Sequence, residues 1–182
     1  MDTVLDRFWT TDTFLAWENR QGDKYEFDGR EIIPMTGGSV AHQRIVFNLL
    51  LSLAGRLGDR FQMVVQEMRL RIGSQIRYPD VVIGTGALGQ TTRTLTDAVA
   101  IFEVLSDDTA TTDRVDKLIG YAAVPSLGTY VLLEQSAIGA TVFRREPGGP
   151  WVATALTSGT IDLPHLGIGI PLADLYRGLT FA

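Results

Sequence analysis

The chain has 182 residues with 16 Lys or Arg and 21 Asp or Glu, a formal net charge of −5, and 45% apolar residues. This composition excludes an intrinsically disordered chain, and the length favours a single domain over residues 1–182. The absence of cysteine excludes disulfides and thiolate chemistry, while the acidic start and the lack of an apolar run of roughly 18 residues predict a cytoplasmic protein without membrane contacts.

The N-terminal region predicts a short helix followed by a hairpin. Thr11-Asp12-Thr13 provides side-chain oxygens that can cap a helix over residues 14–18. Residues 25–27 and 31–35 flank Asp28-Gly29, a dipeptide that accepts the positive φ angles of a tight turn. We therefore expect two antiparallel strands in this region.

The next region predicts a long amphipathic helix and two strands. Between residues 41 and 58, apolar side chains recur at three- and four-residue steps, and Ser39 stands where it can cap the helix. Residues 61–72 alternate toward their end and predict one strand, and residues 78–83 predict the next strand. The small and polar residues 84–96 predict a loop.

The rest of the chain predicts further buried strands around one helix. Residues 98–105 form an apolar run interrupted only by Glu103, which is typical of a central strand buried on both faces. We also predict a helix over residues 113–124, a strand over 130–133, a hairpin over 141–156, and two short strands with a helical turn over 161–176. Because helices interrupt only part of the strand series, the order predicts an α/β (α+β) fold, a mixed β-sheet flanked by helices.

One glycine-rich segment matches the Gly-x-Gly-x-x-Gly pattern of dinucleotide-binding proteins. Residues 84–89 read Gly-Thr-Gly-Ala-Leu-Gly and follow a predicted strand. The motif requires a helix to begin at its third glycine, so that the helix N-terminus faces the pyrophosphate. Residues 90–97 are rich in β-branched Thr and have almost no apolar face, which disfavours that helix and therefore a dinucleotide site.

Two acidic residues and one lysine form the strongest candidate site. Asp80 opens the apolar run after Pro79, and Glu103 is the single charge within its predicted strand. A buried carboxylate is costly unless it is paired, for example with an Arg, or holds a cation. Adjacent strands can bring both carboxylates together, and oxygen ligands suit Mg²⁺ or Mn²⁺. Lys117 on the following helix could assist a water or a developing phosphate charge, or form a surface ion pair with Asp113.

Several short segments recur in the order of a known family: residues 24–31, 39–46, 77–82, 102–106, 113–121, 125–127 and 163–168. Among them are Tyr78-Pro79-Asp80 and Phe102-Glu103-Val104. Over about residues 11 to 177, this set resembles the Uma2 family, formerly the domain of unknown function 820. The family is assigned to the PD-(D/E)XK nuclease superfamily, so the resemblance implies a restriction-endonuclease-like fold with additional β-hairpins.

The resemblance implies roles for three central residues. Asp80 matches the Asp of the superfamily's Pro-Asp, and Glu103 matches its second acidic residue, which makes both of them metal ligands. The lysine of the superfamily motif would fall at position 105, where this chain has Leu105. In relatives that role is thought to pass to a lysine on the next helix, which matches Lys117.

Other residues match the family at less defined positions. Glu26 matches an early Glu that adds a ligand or holds a water, unless it pairs with Arg30 or Lys24 in the hairpin. His42 matches a His at the start of the long helix, where a hydrogen bond at the helix start is the alternative to a metal contact. Independently of the resemblance, either Gln66 or Glu67 could reach the site from the adjoining strand.

The resemblance implies a metal-dependent endonuclease that uses Mg²⁺ or Mn²⁺ and acts on nucleic acid. We expect DNA as the substrate and a homodimer as the assembly. A second hypothesis is a nuclease-derived binding or assembly module with weak or no catalysis. Leu105 in place of lysine favours this alternative, and so does the net charge of −5, since proteins that bind phosphates are usually basic.

Overall fold

The computed structural model describes residues 9–35, 37–59, 61–65, 68–105 and 111–181, and for residues 64–65 and 111–116 it describes the backbone only. The helices in these ranges are α1 (Thr11–Glu18), α2 (Val40–Ala54), α3 (Thr111–Ala122) and α4 (Leu172–Leu175). The strands are β1 (Tyr25–Phe27), β2 (Ile32–Pro34), β3 (Gln62–Val65), β4 (Arg69–Ile72), β5 (Gln75–Arg77), β6 (Val81–Gly84), β7 (Thr94–Leu95), β8 (Ala100–Val104), β9 (Thr129–Leu133), β10 (Ala140–Arg144), β11 (Val152–Leu156), β12 (Thr160–Leu163) and β13 (Ile168–Pro171).

The larger sheet is mixed and has the strand order β11-β10-β9-β8-β6-β3. Strands β8 and β9 run parallel, and the other neighbours in this sheet run antiparallel. A parallel pair requires a crossover connection, and here the connection contains α3. The predicted mixed sheet with flanking helices is therefore confirmed.

A smaller sheet and a separate hairpin complete the fold. The smaller sheet has the order β2-β1-β5-β4-β7, in which only the pair β4–β7 is parallel. Strands β1 and β2 form the predicted hairpin, and Gly29 adopts the expected positive φ of 97°. The two short strands predicted in the C-terminal region are β12 and β13, which pair antiparallel with a 3₁₀ turn at Pro164–Leu166 between them.

Residues 61–72 and 84–96 differ from the sequence-based expectation. Residues 61–72 were expected to form one strand, but β3 pairs with β6 in the larger sheet whereas β4 pairs with β5 and β7 in the smaller one. The alternation of apolar and polar residues indicates which face of a strand is buried but not which sheet the strand joins. The sequence pattern therefore did not reveal that the chain passes from one sheet to the other between β3 and β4. The expected loop over residues 84–96 also contains the two-residue strand β7.

The helices pack on opposite faces of the central strand β8. On one face, Phe102 lies in a core cluster with Ile45 and Leu49 of α2. On the other face, Ile101 lies in a second cluster with Tyr121 of α3. Because side chains alternate along a strand, Glu103 projects to the same side as Ile101, toward α3.

The helix boundaries follow local side-chain chemistry. Ser39 caps α2 as predicted, because its hydroxyl accepts the backbone N–H of His42 at 3.1 Å. Helix α1 is instead capped by Thr10, in a reciprocal arrangement with Thr13, so it begins earlier than expected. Helix α2 ends at Ala54 rather than continuing to residue 58. No helix in the described ranges is long and apolar enough to cross a membrane.

Candidate active site

The register of two antiparallel strands brings Asp80 and Glu103 together. Val81 of β6 lies opposite Phe102 of β8, so one step further along the ladder Asp80 lies opposite Glu103. Directly opposed residues of an antiparallel pair project from the same face. The Asp80 carboxylate is fixed there by the backbone N–H of Val104, which donates to Oδ2 at 2.8 Å.

Helix α3 holds the Glu103 carboxylate from above the strand. Lys117 Nζ donates to Oε2 at 2.9 Å, and the hydroxyl of Tyr121 donates to Oε1. These two donors are four residues apart, so they lie on the same face of the helix. Glu103 is only 7% exposed, and α3 therefore supplies a donor to each oxygen of a buried carboxylate.

Burial and neighbouring charges act against each other at Glu103. Burial raises the pKa of Glu103, and the ammonium of Lys117 lowers it. The carboxylates of Glu26 and Asp80 raise this pKa further, while the hydrogen bond from Tyr121 lowers it. The net direction is upward. Asp80 lies opposite Glu103 in the strand register, and Glu26 is near enough for its charge to act on the same carboxyl.

Glu26, from the smaller sheet, forms one cluster with Asp80, Glu103, Lys117 and Tyr121. It is buried on β1, where Arg77 donates to its Oε2 at 3.0 Å and the backbone N–H of Tyr78 donates to its Oε1 at 2.9 Å. Arg77 itself is 2% exposed. Sequence reasoning did not identify Arg77 as the partner, although its position just before Tyr78-Pro79-Asp80 was a possible signal.

His42 contacts Asp80 from the start of α2. Its Nε2 lies 3.1 Å from Asp80 Oδ2, the oxygen that also accepts the Val104 N–H. The His42 backbone N–H donates to the Ser39 hydroxyl, a cap bond that any non-proline residue at this position could make, so it does not decide the role of the imidazole ring. Gln66-Glu67 and the side chain of Asp113 lie outside the described residues.

A buried polar network braces the segment that leads into Asp80. Arg69 of β4 donates to the Tyr78 hydroxyl at 2.8 Å and to Glu18 Oε2 at 2.5 Å. The Tyr78 hydroxyl donates to the other oxygen of Glu18, and burial raises the pKa of Tyr78. The network joins the end of α1 to the residue that immediately precedes Pro79-Asp80. Neither Glu18 nor Arg69 carried a recognisable motif in the sequence.

The donor set has the chemistry of a Mg²⁺ or Mn²⁺ site. Glu26, Asp80 and Glu103 offer carboxylate oxygens only, the ligands that these hard cations prefer. Two of these carboxylates raise the pKa of the third, and a cation between them would relieve that repulsion. Among the described residues, however, no three acidic or histidine side chains already form a closed ligand set. Each of the three is held by donors of the protein, so coordination requires these side chains to adjust.

The glycine-rich segment is a loop. Residues 85–93, all of them described, contain no helix. The carboxylate of Asp97 accepts hydrogen bonds from the Thr85 hydroxyl at 3.2 Å and from its backbone N–H at 3.4 Å, so the loop is tied back to the segment that leads into β8. Without a helix at Gly89, the phosphate-binding geometry of a dinucleotide site is absent from this segment.

Comparisons with known proteins agree with this architecture. A sequence profile of the Uma2 family, described as "Putative restriction endonuclease", matches residues 11–173. Two uncharacterized proteins of Synechocystis sp., slr1290 and sll1609, are 28% and 32% identical to the chain over 173 and 169 residues. The alignments cover 92% and 90% of this chain and 91% and 96% of those proteins.

A solved structure has the same fold. It is described as "a putative nuclease belonging to DUF820" from Anabaena variabilis, and it matches the chain with a TM-score of 0.71 at 17% identity. The match covers 92% of this chain and 97% of that one. The predicted fold class is therefore confirmed.

Proposed function

The chain belongs to the Uma2 family, and from this membership we propose that it is a metal-dependent endonuclease that hydrolyses phosphodiester bonds in DNA. The observation that carries the proposal is the meeting of Asp80, Glu103 and Lys117 at the ends of β6 and β8. Two carboxylates can hold a divalent cation, and an ammonium can stabilise the charge that develops on a phosphate, which together suit metal-assisted phosphodiester hydrolysis. The descriptions of the family and of the structural relative support the same class of reaction.

Asp80 and Glu103 are the proposed ligands of one or two Mg²⁺ or Mn²⁺ ions, with Glu26 as a further oxygen donor. A bound divalent cation supplies a water of lowered pKa and neutralises charge on the scissile phosphate. The chain orients the ligands for this purpose. The Val104 N–H and His42 fix Asp80, and α3 fixes Glu103.

Lys117 is the proposed partner of the attacking water. Its ammonium lies 2.9 Å from Glu103 Oε2, so it stands beside the proposed ligands without being one of them. From there it can hold the water by a hydrogen bond or stabilise negative charge that develops on the phosphate. Leu105, where the superfamily motif has its lysine, is buried in the apolar cluster under α3 and cannot take this role.

A nicking assay on supercoiled plasmid tests the proposal. We expect the wild type to nick in Mg²⁺ or Mn²⁺ but not in EDTA, and Asp80→Asn, Glu103→Gln and Lys117→Met to lose this activity. Asp174→Asn is the matched control, because Asp174 is an acidic residue that is paired with Arg177 outside the cluster. Loss of nicking in Asp174→Asn to the same extent, or nicking in EDTA, would contradict the proposed site.

Metal linkage tests the site without a substrate. A cation that binds only the folded protein adds about 2.7 kcal/mol at a hundredfold excess over its dissociation constant, which is about 5 to 11 °C in Tm for a chain of this size. We expect Mn²⁺ to raise the Tm of the wild type, Lys117→Met and Asp174→Asn, but not of Asp80→Asn or Glu103→Gln. An equal rise in Tm for all five proteins would mean that Mn²⁺ does not bind at Asp80 and Glu103.

The alternative function is a nuclease-derived binding module. Leu105 at the position of the superfamily lysine and the net charge of −5 favour it. Filter binding to DNA at two salt concentrations separates the two functions, because phosphate contacts make affinity fall steeply with salt. Salt-sensitive DNA binding without metal-dependent nicking would support the binding module rather than the endonuclease. Light scattering of the same samples tests the proposed homodimer.

A further inference from the structure

Tyr121 is a buried side chain of the cluster to which sequence reasoning gave no role. Its side chain is 0% exposed, and its hydroxyl donates to Glu103 Oε1. Burial and the charges of Glu103 and Glu26 raise the pKa of Tyr121 well above the usual value. At neutral pH the phenol therefore keeps its proton and acts as a donor to the carboxylate.

The ring of Tyr121 is held from behind by two further aromatic residues. It packs edge-on against Tyr130 at a centroid distance of 5.0 Å, and Tyr130 stacks on Phe143 at 5.8 Å. Tyr130 and Phe143 lie opposite each other on β9 and β10 of the larger sheet. The position of the hydroxyl is thus set by the sheet as well as by α3.

The two oxygens of Glu103 therefore have different surroundings. Oε1 is bound by a buried phenol with a fixed ring, whereas Oε2 is bound by the flexible side chain of Lys117. A lysine side chain has four rotatable bonds and can withdraw, but the tyrosine hydroxyl can turn only about its C–O bond. A cation can replace Lys117 at Oε2 far more easily than it can replace Tyr121 at Oε1.

We propose, on the basis of the function proposed above, that Tyr121 is a positioning residue that reserves Oε1 of Glu103 and presents Oε2 to the divalent cation. Glu103 would then hold the cation through Oε2 alone, and the Lys117 ammonium would remain beside the same carboxylate. Tyr121 does not contact the substrate. It acts through Glu103, as outer-sphere hydrogen-bond partners of metal ligands commonly do.

Calorimetric titration with MnCl2 tests the assignment on the purified protein. Tyr121→Phe deletes the hydroxyl but keeps the ring, and we expect its Mn²⁺ dissociation constant to rise by about 10- to 100-fold. The matched control is Tyr176→Phe. Tyr176 is 3% exposed and donates to the backbone carbonyls of Glu134 at 2.9 Å and Gly139 at 2.5 Å, away from the cluster. Its dissociation constant should equal that of the wild type.

A second measurement does not depend on the folding of Tyr121→Phe. Mn²⁺ at Glu103 withdraws electron density from the carboxylate and weakens the hydrogen bond that Tyr121 donates. We therefore expect a tyrosine difference spectrum in the near ultraviolet when Mn²⁺ is added to the wild type and to Tyr176→Phe. Mn²⁺ binding without this difference spectrum overturns the assignment.

The outcomes separate this inference from the proposed function. Unchanged Mn²⁺ affinity in Tyr121→Phe, or an equal loss in both tyrosine variants, overturns the role of Tyr121 and leaves the proposed metal site standing. Absence of Mn²⁺ binding by the wild type overturns both. A selective loss in Tyr121→Phe, accompanied by the difference spectrum in the wild type, supports the inference.

Discussion

Replacement of Lys117 by Met removes the ammonium that compensates Glu103 and keeps an unbranched side chain of similar length. The two charged side chains are 16% and 10% exposed, and their atoms lie 2.9 Å apart. Removal of one partner from a buried ion pair costs about 3 to 5 kcal/mol, because the remaining charge stays buried. Tyr121 still donates to Glu103, so we expect the lower end, about 3 kcal/mol or about 6 to 12 °C in Tm.

The cost should depend on pH with a defined sign. Without Lys117, the pKa of Glu103, already raised by burial, rises further in the folded state. A folded-state pKa above the unfolded value gives stability that is complete below the unfolded pKa of about 4.3 and is lost as pH rises through the folded pKa. The difference in unfolding free energy between wild type and Lys117→Met should therefore be large at pH 8 and small near pH 4.5.

Urea unfolding in EDTA at both pH values measures this difference. Arg177→Met is the control, because Arg177 also lies 2.9 Å from a carboxylate, that of Asp174, but its side chain is 76% exposed. Such an exposed pair contributes less than about 1 kcal/mol. Two results would refute the description of Lys117–Glu103 as a buried ion pair. One is an equal loss of unfolding free energy in the two variants, and the other is a loss in Lys117→Met that does not change with pH.

Three further predictions concern other parts of the molecule. Burial raises the pKa of Tyr176 to about 12 from an unfolded value near 10. The stability that its hydroxyl contributes is therefore present below pH 10 and lost as pH rises through 12. In urea unfolding, Tyr176→Phe should lower the free energy of unfolding less at pH 11 than at pH 8. His42→Ala removes the imidazole whose Nε2 lies 3.1 Å from Asp80 Oδ2, and it should weaken Mn²⁺ binding by about 10-fold or more in a calorimetric titration. Unchanged affinity would remove His42 from the site. NAD should not raise the Tm, since the loop at residues 85–93 lacks the helix that a dinucleotide requires. A rise of several degrees would contradict this.

Local chemistry made some elements predictable. The hairpin connection over residues 28–31 is set locally, since Gly29 takes the positive φ and the Asp28 carboxylate accepts the N–H groups of Arg30 and Glu31; Asp28 itself does not adopt the positive φ of a two-residue turn. Ser39 likewise caps α2 through its own neighbours. The division of residues 61–72 between two sheets has no such local signal, because β3 and β4 obtain their partners from distant strands. Strand pairing over long sequence separations depends on the whole fold, and a single sequence shows little of it.

The same distinction applies to the candidate site. Glu103 was recognisable because a carboxylate inside an apolar strand is costly, and the cost itself marks the position. Asp80, which precedes β6, was recognisable from the Pro79-Asp80 pair and from the family resemblance. Arg77 and Tyr121 carry no such signal. An arginine on a short strand is ordinarily an exposed charge, and a tyrosine on an amphipathic helix is ordinarily a core aromatic. Only the tertiary structure shows that each donates to a buried carboxylate of the cluster. The four-residue spacing from Lys117 was the one available indication for Tyr121.

The position of Lys117 explains how the cluster keeps an ammonium without a lysine at position 105. Leu105 continues the pairing of β8 with β9 through its backbone N–H, and its side chain projects to the same face as Glu103, into the apolar cluster with Tyr121. An ammonium there would have to be buried among apolar side chains, at a cost of several kcal/mol. Lys117 instead reaches the carboxylate from α3, with its side chain still 16% exposed, so less desolvation opposes its charge. The proposed hydrolysis uses an ammonium beside the carboxylate, and this ammonium can come from either position in the backbone. Helix α3, in the crossover between β8 and β9, supplies this ammonium, while Leu105 contributes to the apolar cluster that contains Tyr121.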